Sequence, residues 1–250
     1  ARKFPSLTTY FLKVVSFNDP FSYNSTIIHD KPNALQLNKK KNRTIFYYVD
    51  HTINCQVNTG MQRVTRGLAR GLIEAGEDVV FVRWSQTRKT LVRINRYQLQ
   101  HLGKWQGPVL SEDKIVHYAI DDVSEESIIK QDEDVASLLV IPEVTYINYH
   151  GYAPTIDVVM AAKEANLRTV FIFYDAIPLR CKEFENIAPA HAKYMEQLLL
   201  ADLIVPISFW SAQDIISFFT YHEKAVTTSI PVIEPLLLPG ETNVRLNAVI

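Results

Sequence analysis

The segment TIFYYVDHTINCQVNTGMQRVTRGLARGLIEAGEDVVFVRW, residues 44–84, decides the fold. Its first six residues, TIFYYV, are β-branched or aromatic and carry no charge, which predicts a short buried strand. Over residues 61–75, Met61, Val64, Leu68 and Leu72 share one helical face. Gly76 follows at the position where a helix ends in the left-handed conformation. Residues 78–84 (DVVFVRW) return to the strand pattern. Strand, helix and strand within about 40 residues make a βαβ unit and imply a parallel pair.

The alternation resumes further along. Residues 137–141 predict a strand, 155–165 a helix, and 168–174 (RTVFIFY) a strand apolar on both faces. A helix over 189–201, a short strand over 203–206 and a helix over 208–220 follow. Strands that alternate with helices and are apolar on both sides point to an α/β fold, a doubly wound parallel sheet of Rossmann-like type. Residues 85–135 interrupt the pattern and predict an irregular insertion, with a short helix near 97–102. With Arg83 just before it, its first part is basic (Arg88, Lys89, Arg93, Arg96, Lys104) and its second acidic (Glu112 through Asp134). Residues 1–43, broken by Pro5, Pro20 and Pro32, form an irregular leader. It ends in Lys39-Lys40-Lys41, read as a solvated linker or as a run attracted to an anionic membrane surface.

Composition narrows the function classes. The chain has 250 residues, is 47% hydrophobic and carries a net charge of -1, which excludes both an acidic disordered chain and a basic nucleic-acid binder. Cys55 and Cys181 are too few for a disulfide framework or a four-cysteine zinc site. They read as free thiols of a reducing compartment. With no secretory h-region at the start, the expectation is a cytoplasmic protein. No apolar run approaches the roughly 18 residues of a membrane span.

In open α/β sheets ligands bind outside the carboxyl ends of the strands. The residues that follow each predicted strand are therefore the candidates. They are Asp50 and His51 with the loop to Asn58-Thr59-Gly60, then Glu143, then Asp175 before Pro178, and then Ser208. Any one of them also suits a turn or a cap, and Ser208 is placed to cap its own helix. Four of the eight glycines (Gly60, Gly67, Gly71, Gly76) cluster here. Gly60 opens the helix, where backbone N–H groups and the dipole favour an anion. Gly67 and Gly71, four residues apart, suggest close helix–sheet packing. Arg63, Arg66 and Arg70 form a stripe. Arg63 in the first turn opposes the dipole and suits either an anion or a solvated face, whereas Arg70 is placed to pair with Glu74.

Several motifs are absent: the G-x-G-x-x-G dinucleotide fingerprint, the phosphate loop, H-E-x-x-H and G-x-S-x-G. Asp132-Glu133-Asp134 spells D-x-D but sits in a polar acidic run, so a carboxylate-held metal is not the preferred reading. A nicotinamide-dependent oxidoreductase is disfavoured by the missing glycine fingerprint.

Three stretches carry a resemblance. YYVDHTINCQVNTGMQRVTRGLARGL (47–72) resembles the opening of glycosyltransferase family 4, the retaining GT-B enzymes, with its T-G-[IM]-Q-R-V and glycine-bearing helix. FYDAIPL (173–179) is similar to that family's H-D-L-I-P-L, with Tyr174 where His is frequent. LLLADLIVPISFWSAQDI (198–215) resembles its A-D-x-I-x-x-I-S-x-x-S-x-x-D stretch. The resemblance implies a single GT-B half, the amino-terminal, acceptor-side domain over 44–220. Thr59, Gly60 and Arg63 would lie at the cleft toward the donor pyrophosphate, and Asp175 near the acceptor hydroxyl. Its partners would be a nucleotide-sugar donor and a glycan or lipid-linked acceptor of bacterial-type surface polysaccharide or glycolipid synthesis, with no metal or other cofactor. Residues 221–250, rich in proline, are expected to be a linker toward a carboxy-terminal domain bearing E-x7-E, so that this chain alone is expected to be inactive or nearly so. The competing reading is a noncatalytic α/β binding or scaffold module that retains the fold.

Overall fold

In a computed structural model, which describes residues 11–12, 43–111, 115, 118–119, 125–131, 137–146, 155–222 and 230–236, the run TIFYY forms strand β1, Thr44–Tyr48. Its side chains alternate between two cores. Ile45 and Tyr47 pack on one side of the sheet and Phe46 and Tyr48 on the other, and all four are buried. A strand buried on both faces needs helices on both faces, and the rest of the chain supplies them.

Helix α1, Gly60–Glu74, buries Leu68, Ala69 and Leu72 against the first core. Gly76 ends it at φ +77°. The Gly76 N–H donates to the Ile73 carbonyl at 3.0 Å and the Glu77 N–H to that of Leu72 at 3.1 Å, the paired bonds of a glycine-terminated helix. Strand β2, Asp78–Ser85, then runs parallel to β1, with Thr44 opposite Asp78 and Tyr48 opposite Val82.

The remaining strands are β3 (Thr90–Arg93), β4 (Leu138–Ile141), β5 (Arg168–Phe173), β6 (Leu203–Pro206) and β7 (Val232–Ile233). The remaining helices are α2 (Arg96–Leu102), α3 (Thr155–Glu164), α4 (Ile177–Arg180), α5 (Ala188–Gln197) and α6 (Phe209–Tyr221). Among the described residues the sheet order is β3-β2-β1-β4-β5-β6-β7, with β2/β3 the one antiparallel pair of these strands. Leu99 and Leu102 of α2 join α1 over one face. Val158 and Val159 of α3, Met195 of α5 and Ile215 and Phe219 of α6 cover the other. This is a doubly wound, Rossmann-like α/β fold. No helix among the described residues is long and apolar enough to cross a membrane.

Three expectations need correction. The stretch 85–135 is not simply irregular, because β3 forms a hairpin with β2, with Trp84 opposite Leu91. Its turn, Gln86–Lys89, lacks glycine and asparagine, and Lys89 takes the left-handed position at φ +52°. The segregated charges meet across this edge. Arg83 bonds Glu125 at 3.0 Å, and Arg93 pairs with Glu126 at 3.4 Å. Second, β7 lies within the expected linker 221–250 and pairs in parallel with β6, Leu203 opposite Val232. Third, a Cβ added at Gly67 meets nothing within 4 Å, so that glycine does not serve close packing. The leader, apart from residues 11–12 and 43, lies outside the described residues, as does Asp132-Glu133-Asp134.

Candidate functional site

The strand order reverses between β1 and β4. From β1 the chain winds outward through β2 and β3, then crosses to β4 on the other side. The crevice at the carboxyl ends of these two strands is the place where such sheets bind ligands. Here the crevice is closed by the protein's own side chain. Glu143, just after β4, is 0% exposed. Its Oε2 accepts the His51 N–H and its Oε1 the Thr52 N–H, both at 2.7 Å. Burial pushes the Glu143 carboxyl up to about 8, against the pull of those two N–H groups. Asp50 beside it is raised to about 6 by burial, opposed by the Arg83 charge and by the Tyr48 hydroxyl at 3.4 Å. His51 is itself buried, which lowers its imidazole below the usual value.

Behind this loop lies Arg66, 1% exposed and the largest fully buried side chain among the described residues. Its Nη1 donates to Asn58 Oδ1 at 2.9 Å and its Nη2 to the Thr52 carbonyl at 3.4 Å, while its Nε has no partner among the described residues. The guanidinium sits 4.7 Å from the Trp105 ring centre, a cation–π contact. Burial lowers its affinity for the proton, opposed by Cys55 and Glu143. Arg66 therefore anchors the β1–α1 loop. Arg63, by contrast, is exposed, and Arg70 pairs with Glu74 at 3.8 Å and donates to the Gln106 carbonyl at 3.0 Å.

Open space is found one strand further along. A cavity of about 470 Å³ lies at the carboxyl ends of β4 and β5 and the start of α1. Thr59, Gly60 and Asp175 all line it, together with Val144, Tyr146, Tyr174 and His191. Thr59 is the N-cap of α1, and its N–H donates to Gln62 Oε1 at 3.0 Å in a capping-box arrangement. A Cβ at Gly60 would meet nothing within 4 Å, so the helix start is open toward the cavity. Asp175 follows β5, and its Oδ1 accepts the Ile177 N–H at 2.9 Å, shaping the turn into α4.

His191 comes from α5 and was not singled out by sequence. Its Nε2 lies 3.0 Å from the Asp175 carbonyl and its Nδ1 2.9 Å from the Tyr146 hydroxyl. A carbonyl only accepts, so Nε2 carries the hydrogen and Nδ1 accepts from Tyr146. Burial lowers the imidazole's pKa, opposed by the Asp175 carbonyl and charge, while burial and Asp175 push Tyr146 up to about 12. The rings of Tyr146, His191 and Tyr194 pack with centroids 5.5–5.7 Å apart.

The predicted residues thus fall into separate groups. Thr59, Gly60 and Asp175 share one cavity. His51 and Glu143 meet in the closed crevice. Ser208 caps α6, accepting the Ser211 N–H at 3.0 Å, and lies beside the cavity wall at Ile207. Among the described residues, no group of three or more His, Cys, Asp or Glu is placed to hold a metal ion. Both cysteines are free thiols. No protein-family model, curated protein or solved structure matches the chain.

Proposed function

We propose that this α/β domain is the acceptor-side half of a retaining glycosyltransferase, which moves a sugar from a nucleotide-sugar donor to a glycan or lipid-linked acceptor. One observation carries the reading: the open start of α1 at Thr59–Gly60 and the carboxylate of Asp175 line the same cavity. Helix N-termini favour the negative charge that develops on a departing nucleotide diphosphate. Asp175, which lines the same cavity, would then face the acceptor hydroxyl. The reaction breaks the bond between the anomeric carbon and the diphosphate oxygen and forms one to the acceptor oxygen. The diphosphate leaves with the bonding pair and takes up the proton that the acceptor hydroxyl gives up.

Cytoplasmic residence, with peripheral contact at the inner membrane face through Lys39–Lys41, belongs to the same reading and is supported by the free thiols and the basic run. A noncatalytic binding module is the second reading, and the Asp175–Ile177 turn bond favours it, since a turn residue would make the same contact. The native gene product that carries this sequence, incubated with radiolabelled nucleotide sugars and with glycan and lipid-linked acceptors, separates the two. Transfer of label supports the enzyme. No transfer from any common nucleotide sugar leaves the binding module.

A further inference from the structure

The polar side chains of the cavity are largely engaged by the protein itself, and the N–H groups at the start of α1 are the part assigned to the departing diphosphate. Six polar side chains line it: Thr59, Tyr146, Tyr174, Asp175, His191 and Tyr194. The Thr59 hydroxyl donates to Gln62, and the Tyr174 hydroxyl donates to the Pro142 carbonyl at 2.7 Å. Tyr146 and His191 bond each other, and the second nitrogen of His191 is held by the Asp175 carbonyl. Asp175 Oδ1 is taken by the Ile177 N–H. Among the described residues, the side-chain groups of the cavity left without any partner are the second carboxylate oxygen of Asp175 and the buried Tyr194 hydroxyl.

The rest of the wall is apolar, including Met61, Val64, Val144, Phe173, Ile187 and Ile207. Ile177 and Phe184 also line the cavity while remaining 46% and 42% exposed, so apolar surface continues to its mouth. A free sugar seated here would have to leave several hydroxyls without partners, each at a cost of about 1–3 kcal/mol. An apolar group gains about 25 cal/mol for every Å² it removes from water. A volume of about 470 Å³ is in the range of small-ligand sites.

We infer that the cavity binds the apolar part of an amphipathic acceptor, an alkyl or aryl aglycone, and that Asp175 meets the polar end of that molecule. The inference rests on the acceptor-side reading for its biological sense, but its test does not require turnover.

Calorimetric titration of the chain with hexyl and phenyl β-D-glucoside, against methyl β-D-glucoside and glucose, tests it. The expected result is at least about tenfold tighter binding of the hexyl and phenyl compounds than of the methyl compound. Val64→Glu, and separately the exposed Phe184→Ser, should reduce that preference to less than about threefold without changing the circular dichroism spectrum. Equal affinity across the series, or a preference that survives both substitutions, overturns the inference. Alkyl glucoside binding without sugar transfer by the native gene product would sink the glycosyltransferase reading alone. Transfer to a free glycan with no aglycone preference would sink this inference alone.

Discussion

Glu143, at the end of β4, holds the backbone of His51, at the end of β1, through a 2.7 Å hydrogen bond across the point where the strand order reverses. The bond to the Thr52 N–H doubles the link. A carboxyl group of the protein thus takes the two N–H groups that a ligand could otherwise use, and the open site moves to the next strand pair.

That relationship predicts the behaviour of Glu143→Gln. The amide must place its NH₂ against one of two N–H donors, so the variant should lose about 1–3 kcal/mol of stability in urea denaturation. A second signature is pH dependence. Burial raises Glu143 to about 8 from a usual value of 4.5, and Asp50 to about 6 from 3.8. Both stabilise the fold fully below those usual values and lose that contribution as pH rises through the raised ones. These two groups should therefore make stability fall between about pH 4 and 8, opposed below about 6.5 by the lowered imidazoles of His51 and His191, and Glu143→Gln should flatten the part of the slope above about pH 6.5. An unchanged slope would contradict the assignment.

The opposite sign is expected at the β2/β3 edge. Glu125 is pushed up by burial, but hydrogen bonds from Ser85, Thr87 and Arg83 outweigh that and hold it at about 2. The Thr87 contact is 2.7 Å and the Arg83 contact 3.0 Å. This stabilisation is present above the usual glutamate value of 4.5 and is lost as pH falls from there toward 2. Glu125→Ala should cost about 2 kcal/mol at neutral pH, and the difference from wild type should shrink below pH 4 when followed by acid titration.

Gly67→Ala should stabilise the chain by up to about 1 kcal/mol. The position is inside α1, has no positive φ, and a Cβ there meets nothing within 4 Å. Gly60→Val also faces open space and should leave the melting temperature within about 3 °C, since a surface change without clashes is worth about 0.5 kcal/mol. Its side chain would instead crowd the helix start, and transfer by the native gene product should fall at least tenfold. A variant with unchanged transfer would remove Gly60 from the site.

Local pattern carried most of the fold. Gly76 as a helix stop, Ser208 as a cap and the apolar runs at β1, β4, β5 and β6 are each readable within a few residues. What local pattern could not supply was contact made over distance. Arg66 reads as one of three stripe arginines, and the side chain that stacks on it, Trp105, comes nearly 40 residues later. His191 meets Asp175 from a different helix. The β2/β3 hairpin carries no turn signal in the sequence because a lysine fills the position that glycine or asparagine usually announces. β7 is two residues long and leaves no periodic signal.

The roles open to Asp175 separate in a pair of substitutions. Asparagine keeps an oxygen that can accept the 2.9 Å bond from the Ile177 N–H, so Asp175→Asn preserves the turn into α4 and removes only the charge. Alanine removes both. If Asp175 is only a turn residue, Asp175→Asn transfers sugar normally and Asp175→Ala loses about 1 kcal/mol of stability. If its carboxylate meets the acceptor, Asp175→Asn lowers transfer at least tenfold while urea denaturation remains within about 0.5 kcal/mol of wild type. The second outcome is favoured because Asp175 lines the cavity and the hydrogen bond its carboxylate makes among the described residues uses only Oδ1. Loss of turnover together with loss of stability in both variants would return Asp175 to the turn.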